Sequence, residues 1–452
     1  MLFLHPTPAQ VLYNLCVLNS LLIPALDPYG ENASQIQSSW LHSGCAHFIL
    51  ELLTKNNFLP NADMHTKRAS FLCVLRLAKL FLYIVGCVLS RVGDEPMLCD
   101  FDMDSRSQVE ILKQILTSIP NTSEITLRAI SQKLAENLAR EMLSASPEGG
   151  VCRLLFASTL QWSCPDISTI KAVVQLAWAS SCGNLQALGT KNDFADDTSM
   201  PDSQDFIVCK EALEVLTISL VLNPSANEAL SADPLWNKFI TSLILKNQSR
   251  HVRQVAAEQL FLTCTYCAGD RRPFAYMVNL LVSSLKTLVP QHEATCADFF
   301  QLLCRTLSYG CVVNWPLNVG EGLLAEEIKW LQKIRESVTN TGDIQVHEDL
   351  LEGHLCLAKE LMFFLSPETK AQLNDLIHEL IDVFLFTASR EYLHLRKHGK
   401  LKTETAPPPV CRSPHTIAAA CELLIALCQN CVPNMKLLTN TITDFVCTGE
   451  LI

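Results

Sequence analysis

Glycine and aromatic residues are scarce in this sequence: 16 glycines and 7% Phe, Trp and Tyr among 452 residues. With so little glycine, the loops that cradle phosphate are missing, and so is the Gly-x-Ser-x-Gly elbow of many hydrolases. Gly320-x-Gly322 has only two glycines and precedes a helical pattern, so it reads as a turn. A Leu-rich, Gly-poor chain favours helix over sheet. Basic residues are also in deficit, giving a net charge of −11. A nucleic-acid binder shows a basic face, and none is visible. The one basic stretch (Arg390, Arg396, Lys397, Lys400, Lys402) is broken by Glu391 and runs up to the Pro407-Pro408-Pro409 loop. It reads as a solvated helix end whose cations suit the C-terminal dipole, with a phosphate or acidic-partner site as the alternative.

A basic n-region is missing from Met1-Leu2-Phe3-Leu4-His5-Pro6. Thr7-Pro8 then supplies an N-cap and a proline at N1, opening a helix to about Leu22, which argues against a signal peptide. The run from Phe71 to Leu89 is long and apolar enough to imitate a membrane span, but it contains Arg76 and Lys79. Each would cost about 2.5–3.5 kcal/mol at mid-bilayer. A helix buried among neighbours is expected, and no membrane partner.

Apolar residues and cysteine are what the chain does have. Hydrophobic residues make up 49%, enough for a large core, and there are 20 cysteines. Cys73, Cys87, Cys209, Cys304, Cys356 and Cys421 are placed on apolar helical faces and behave as small hydrophobes. They do not form a small disulfide framework. A reducing compartment follows: the cytoplasm, with the nucleus as the other option.

Helical patterns follow one another with short breaks. Residues 40–52 carry an apolar stripe, and another helix covers 107–118. Residues 123–143 place Ile125, Leu127, Ile130, Leu134, Leu138 and Met142 on one face, closed by Pro147-Glu148-Gly149-Gly150. Asp166 is an N-cap. Ser249 opens a helix with Val252, Val255, Ala256 and Leu260 on one face. Ser366-Pro367 opens another, with Leu373, Leu376, Ile377, Leu380, Ile381 and Phe384. Ser413-Pro414 opens a third, with Ile417, Cys421, Leu424 and Cys428. The stretch from Gly183 to Asp205 is acidic and poor in apolar residues, so it reads as an exposed loop. The expected organisation is N-terminal helical repeats over 1–182, an acidic linker over 183–205, and C-terminal repeats over 206–452. Helices of ~12–20 residues over this length exceed one bundle core. They point to an all-α solenoid, armadillo/HEAT-like, with units of ~40–47 residues but no clean repeat. The run Ser249-x-x-Val252-Arg253-x-x-Ala256-Ala257 resembles the inner helix of such repeats, with the Arg reaching a nearby turn or carbonyl.

No constellation carries chemistry. Cys264-x-x-Cys267 and Cys428-x-x-Cys431 lie in or at the ends of helices, 160 residues apart, whereas zinc needs four converging ligands. A nucleophilic Cys needs a lowered pKa and a His base. His354 and Cys356 are two apart on a helix and face differently. His354 is expected to flank the stripe of Leu350, Leu351, Leu355, Ala358 and Leu361. Glu326-Glu327 and Glu348-Asp349 are placed in first helical turns, complementing the dipole. No catalytic, cofactor-binding or metal-ligating residue is assigned, and no cofactor is expected.

The second half carries a family resemblance. Its residues are Val252-Arg253-Gln254-Val255-Ala256-Ala257-Glu258-Gln259-Leu260-Phe261, Glu326-Glu327-Ile328-Lys329-Trp330-Leu331 and Leu351-Glu352-Gly353-His354-Leu355. Ala358-Lys359-Glu360-Leu361, Glu379-Leu380-Ile381-Asp382 and Glu422-Leu423-Leu424-Ile425-Ala426-Leu427 continue it. In order and spacing these resemble the helical region upstream of the catalytic domain in the fat-facets class of very large ubiquitin-specific proteases. The first 248 residues match only loosely. The resemblance implies a parent thiol protease, with a Cys box in which Tyr follows the nucleophile and a later His box. Neither is carried over: no Cys-Tyr pair occurs. Leu41-His42-Ser43-Gly44-Cys45-Ala46-His47 mimics only the start of the His box and is expected on an amphipathic helix. The implied role is a non-catalytic scaffold that recruits ubiquitinated substrates or their adaptors, or positions a protease domain expected to begin near Ile452. The alternatives are a free-standing armadillo/HEAT adaptor and, third, a cysteine hydrolase contained in this chain.

Overall fold

The computed structural model describes residues 7–94 (except 27–29, 44 and 56–57), some positions between 127 and 136, and residues 165–188, 200–265, 271–313, 320–341, 346–381 and 413–447. Among the described residues the fold is all-α: 84% are helical, and no strand occurs. It divides into two compact units, Met1–Met277 and Val278–Ile452.

The first unit begins with α1 (Pro8–Leu22), α2 (Glu31–His42), α3 (Cys45–Thr54) and α4 (Met64–Asp94). Then come α5 (Ile167–Ser181), α6 (Ser203–Leu222), α7 (Pro224–Ser231), α8 (Pro234–Thr241) and α9 (Arg250–Thr265). The helix α10 (Arg272–Thr287) contains the boundary between the units. Thr7 and Gln10 close a full capping box on α1, as the Thr7-Pro8 pair predicts. Asp166 accepts from the Thr169 amide at 2.8 Å. Gly183 ends α5 at φ +67°, where the Asn184 amide reaches back to the Ala179 carbonyl at 2.8 Å. That left-handed C′ position is the reason for glycine there.

Packing runs helix to neighbouring helix. α4 lies against α1, α3 and α6, and α6 lies against α4, α5 and α9. Neighbours on three sides explain why α6 is buried nearly all round, from Val208 to Val221. This row of helices, each packed on the next, is solenoid-like. Within α4, the segment Met64–Cys87 is long and apolar enough to cross a membrane by length and composition, and 83% of its apolar window is buried inside the protein. Lys67 and Lys79 are buried on it as well.

The acidic stretch is only partly a loop. Residues 189–199 lie outside the described residues, but Asp202 is the N-cap of α6, and Asp205 is a buried residue of its first turn. The helices on either side of the stretch, α5 and α6, pack directly on each other within one unit.

The second unit contains α11 (Ala297–Val312), α12 (Gly320–Thr341) and α13 (Glu348–Met362). It ends with α14 (Pro367–Ala371), α15 (Asn374–Leu380), α16 (Pro414–Cys428) and α17 (Val432–Cys447). Its core row is α11, α13 and α16, each against the next. The single helix expected after Ser366 is two. Ser366 caps it as expected, with the Thr369 amide at 3.2 Å. However, the Lys370 carbonyl accepts from Asn434 Nδ2 at 2.9 Å and from the Leu373 amide at 3.0 Å. That carbonyl is drawn into a tighter turn, so the helix breaks and restarts at Asn374. Of the expected stripe, Leu376, Ile377, Leu380 and Ile381 are buried, whereas Phe384 lies outside the described residues.

The buried face of α16 is rotated from the expected one. Leu424 and Cys428 are buried as expected, but Thr416, Ala419, Ala420, Leu423 and Leu427 also face inward, whereas Cys421 is exposed. Two small alanines let α13 approach closely, so packing rather than hydrophobicity chooses the face. The stretches 107–118, 147–150 and 390–409 lie outside the described residues, as does most of 123–143. In the last of these, Leu127, Ile130 and Leu134 are buried together as expected.

Candidate functional site

Several of the charged groups that the fold buries come together at two places. Between α4 and α6, Lys79 forms ion pairs with Glu214 and, at 2.7 Å, with Glu211. Nearby, Arg68 grips Asp205 with two hydrogen bonds of 2.7 Å and also reaches Asp202 at 2.8 Å. The Asp205 contact, ahead of the burial that opposes it, raises the Arg68 pKa. Backbone amides of the α6 first turn and the Arg68 charge hold Asp202 below the usual carboxylate range. Cations on one helix and carboxylates on its neighbour fix the register of α4 on α6. The arrangement is structural, because every carboxylate named is already engaged.

In the second unit, His354 of α13 lies buried with Nδ1 2.6 Å from Glu327 Oε2 of α12. Trp330 stacks on the imidazole at 3.9 Å, and Phe300 of α11 meets it edge-on at 4.9 Å. A Cβ at Gly353 would overlap the Phe300 ring, so glycine there sets how closely α11 and α13 pack. His354 thus belongs to the core rather than to its flank. Glu327 is not in a first turn either, because α12 starts at Gly320, and its partner is an imidazole and not a helix dipole. Glu326 pairs instead with Lys286 at 2.8 Å. Glu348 and Asp349 do sit in the first turn of α13.

The Ser249 motif performs as read. The Val252 amide donates to Ser249 Oγ at 3.4 Å, and Arg253 Nη1 donates to the Asn247 and Gln248 carbonyls at 2.8 and 3.2 Å. Thr217 Oγ1 of α6 donates to Gln259 Oε1 of α9 at 2.8 Å, tying the two helices across their interface.

Several thiols are the reverse of activated nucleophiles. Burial pushes Cys209 up to about 12 and Cys356 to about 11, and raises Cys304, Cys311, Cys421 and Cys428. A nucleophilic thiol needs a lowered pKa. Cys87 and Cys209 are buried as expected, while Cys73, Cys304 and Cys356 are half-buried. Cys264 donates to the Phe261 carbonyl at 3.3 Å, and Cys431 to the Pro367 carbonyl at 3.5 Å, both helix-end uses of sulfur. Cys267 lies outside the described residues. Among the described residues, no group of three or more His, Cys, Asp and Glu could hold a metal ion. The segment around His42-Ser43 is not on one helix. α2 ends at His42 and α3 begins at Cys45, with Ser43 Oγ donating to the Trp40 carbonyl at 2.7 Å.

No family model matches the chain. Individual proteins do. The chain is 78% identical over 99% of its length to the probable ubiquitin carboxyl-terminal hydrolase FAF of Drosophila melanogaster. It is 38% identical over its whole length to ubiquitin carboxyl-terminal hydrolase 9X of Mus musculus. The motif order alone points first to ubiquitin carboxyl-terminal hydrolase 24 and next to fat facets, and the identities reverse that order. The human hydrolase 24 is matched over 95% of the chain, at 22% identity. The chain spans between 16% and 18% of the length of these relatives. It is therefore homologous to a segment of the fat-facets class of ubiquitin carboxyl-terminal hydrolases. The first 248 residues, loosely matched by motif, are included in that homology.

Proposed function

We propose that this chain is a non-catalytic helical scaffold of a large cysteine-type deubiquitinase. In this reading its armadillo/HEAT-like helices recruit ubiquitinated substrates or their adaptors, or position the protease domain. One observation carries the reading: a near-complete alignment at 78% identity with a ubiquitin hydrolase of which the chain covers only 16%. Thiols raised by burial support a region that leaves the chemistry to another part of the parent. Rows of stacked helices present extended surfaces suited to protein partners. Free thiols among the described cysteines favour a reducing compartment, the cytoplasm or the nucleus. The acidic balance disfavours nucleic acid, and the burial of Met64–Cys87 disfavours a membrane partner.

Two experiments test this. The pure chain, incubated with a ubiquitin-based thiol-reactive probe, should form no covalent adduct, and an adduct would overturn the scaffold reading. In the parent protein, deleting these residues should leave cleavage of a small fluorogenic ubiquitin substrate intact while reducing turnover of full protein substrates. Equal turnover of both would remove the recruiting role. A stop codon directly after Ile452 in the transcript would instead favour the free-standing adaptor.

A further inference from the structure

Cys16 of α1 and Cys73 of α4 lie 57 residues apart in sequence, with their sulfur atoms 3.8 Å apart. Cys16 is exposed and Cys73 half-buried. Both are free thiols, and their helices pack directly on each other. A disulfide holds its sulfurs at about 2.04 Å, so closure asks for an approach of about 1.8 Å. That is the scale on which a change of χ1 moves a cysteine sulfur. On the solvent side, Tyr13 and Val17 flank Cys16 and are themselves exposed, at 68% and 39%. A small molecule can therefore reach Cys16 without opening the core.

We propose that Cys16 and Cys73 form a thiol–disulfide exchange site that takes a small disulfide, glutathione disulfide being the type, and closes into a covalent staple between α1 and α4. In the first step the Cys16 thiolate attacks one sulfur of the small disulfide. A Cys16–glutathione bond forms, and one glutathione thiolate leaves. In the second step the Cys73 thiolate attacks Cys16 Sγ. The Cys16–Cys73 bond forms, and the second glutathione thiolate leaves. The protein loses two protons and two electrons, which reduce one glutathione disulfide to two thiols. The order of attack follows from the surroundings. Burial pushes the Cys73 thiol up to about 12, with the neighbouring Cys16 adding to the rise and Arg76 opposing it. The exposed sulfur therefore meets the oxidant first, and the sheltered one, which must lose its proton to resolve the adduct, makes closure the slow and pH-dependent step.

The other described cysteines lack this combination. Cys209 and Cys264 are buried away from any oxidant, and Cys304 and Cys356, which lie near each other, are both half-buried with thiols raised by burial. The staple would join the first helix to the core helix of its unit.

The test uses the full chain, fully reduced, then held in glutathione buffers of increasing oxidised fraction, quenched with an alkylating agent and digested. The expected product is a peptide pair joined at Cys16 and Cys73, lighter than the reduced pair by two hydrogens. Because the second step is intramolecular, its rate should not depend on protein concentration, and it should quicken as pH rises, since Cys73 attacks as the thiolate. Cys16→Ser should abolish it. Cys73→Ser should leave Cys16 as a lasting glutathione adduct, a product that a mere packing role would not give. Cys45→Ser should change nothing. A wild-type chain that accumulates the Cys16 adduct without closing, or that joins Cys16 to another cysteine, would overturn the proposal.

Discussion

Removing the Lys79 ammonium should destabilise the first unit more than any surface change could, and removing Glu214 as well should restore part of the loss. Lys79 and Glu214 side chains are 2% and 3% exposed, and Glu211 is 15% exposed. Breaking a buried pair by deleting one partner costs about 3–5 kcal/mol, because the other charge stays buried. In Lys79→Met the Glu214 carboxylate keeps Lys210, 3.7 Å away and 35% exposed, which softens the penalty. The expected loss is therefore near the lower end, about 3 kcal/mol, or roughly 150-fold in the unfolding constant. Lys79→Met with Glu214→Leu removes the most buried pair but leaves Glu211 without its cation, so about half of the loss should return. Urea unfolding followed by tryptophan fluorescence measures this, since Trp40, Trp178 and Trp236 are all buried or packed in the first unit. A single variant that loses less than about 1 kcal/mol, or a double variant no better than the single, would show that the pair is not buried as described.

Three further changes test other parts of the fold. Gly353→Ala drives a methyl into the Phe300 ring and should cost about 1–3 kcal/mol, with at least half recovered by adding Phe300→Leu; equal stability of Gly353→Ala and wild type in urea would contradict the close approach of α11 and α13. Arg253→Met removes the donor to the Asn247 and Gln248 carbonyls and should cost about 1–3 kcal/mol, and Arg253→Lys should recover only part. The thiol of Cys209 stays protonated in the folded protein up to about 12, against an ordinary 9.0, so above pH 9 the unfolded chain loses its proton first and stability falls with rising pH. Between pH 8 and pH 10.5 the stability gap between wild type and Cys209→Ala should therefore narrow by about 2 kcal/mol in thermal or urea melts; a constant gap would mean that Cys209 is not sheltered.

Most of the helical architecture was legible because its signals are local. Thr7-Pro8, Asp166, Ser249 and Ser366-Pro367 announce helix starts through side chains that reach their own first turn, and each caps where expected. Arg253 was legible for the same reason, since its acceptors lie five and six residues away. What was not legible depends on residues distant in sequence. The break after Ala371 follows from Asn434, 64 residues on, taking the Lys370 carbonyl. The burial of Glu327 follows from His354, 27 residues on, and that of Asp205 from Arg68, 137 residues back.

The acidic stretch shows the same limit from the other side. Composition marks Asp202 and Asp205 as loop residues, because a carboxylate is usually solvated. Yet an aspartate is also a strong N-cap, and one within an arginine's reach can be buried at little cost once two hydrogen bonds hold it. Asp202 answers the first description and Asp205 the second. The distinction between a solvated acidic loop and a capped, ion-paired helix start rests on Arg68, which sits on α4 and is silent in any local window. A site built from single residues on separate helices is hidden from sequence in the same way: Cys16 and Cys73 are unremarkable residues of two helices until α1 is laid on α4. For this chain, then, function at the surface has to be sought at junctions between helices, since that is where groups far apart in sequence acquire properties that neither has alone.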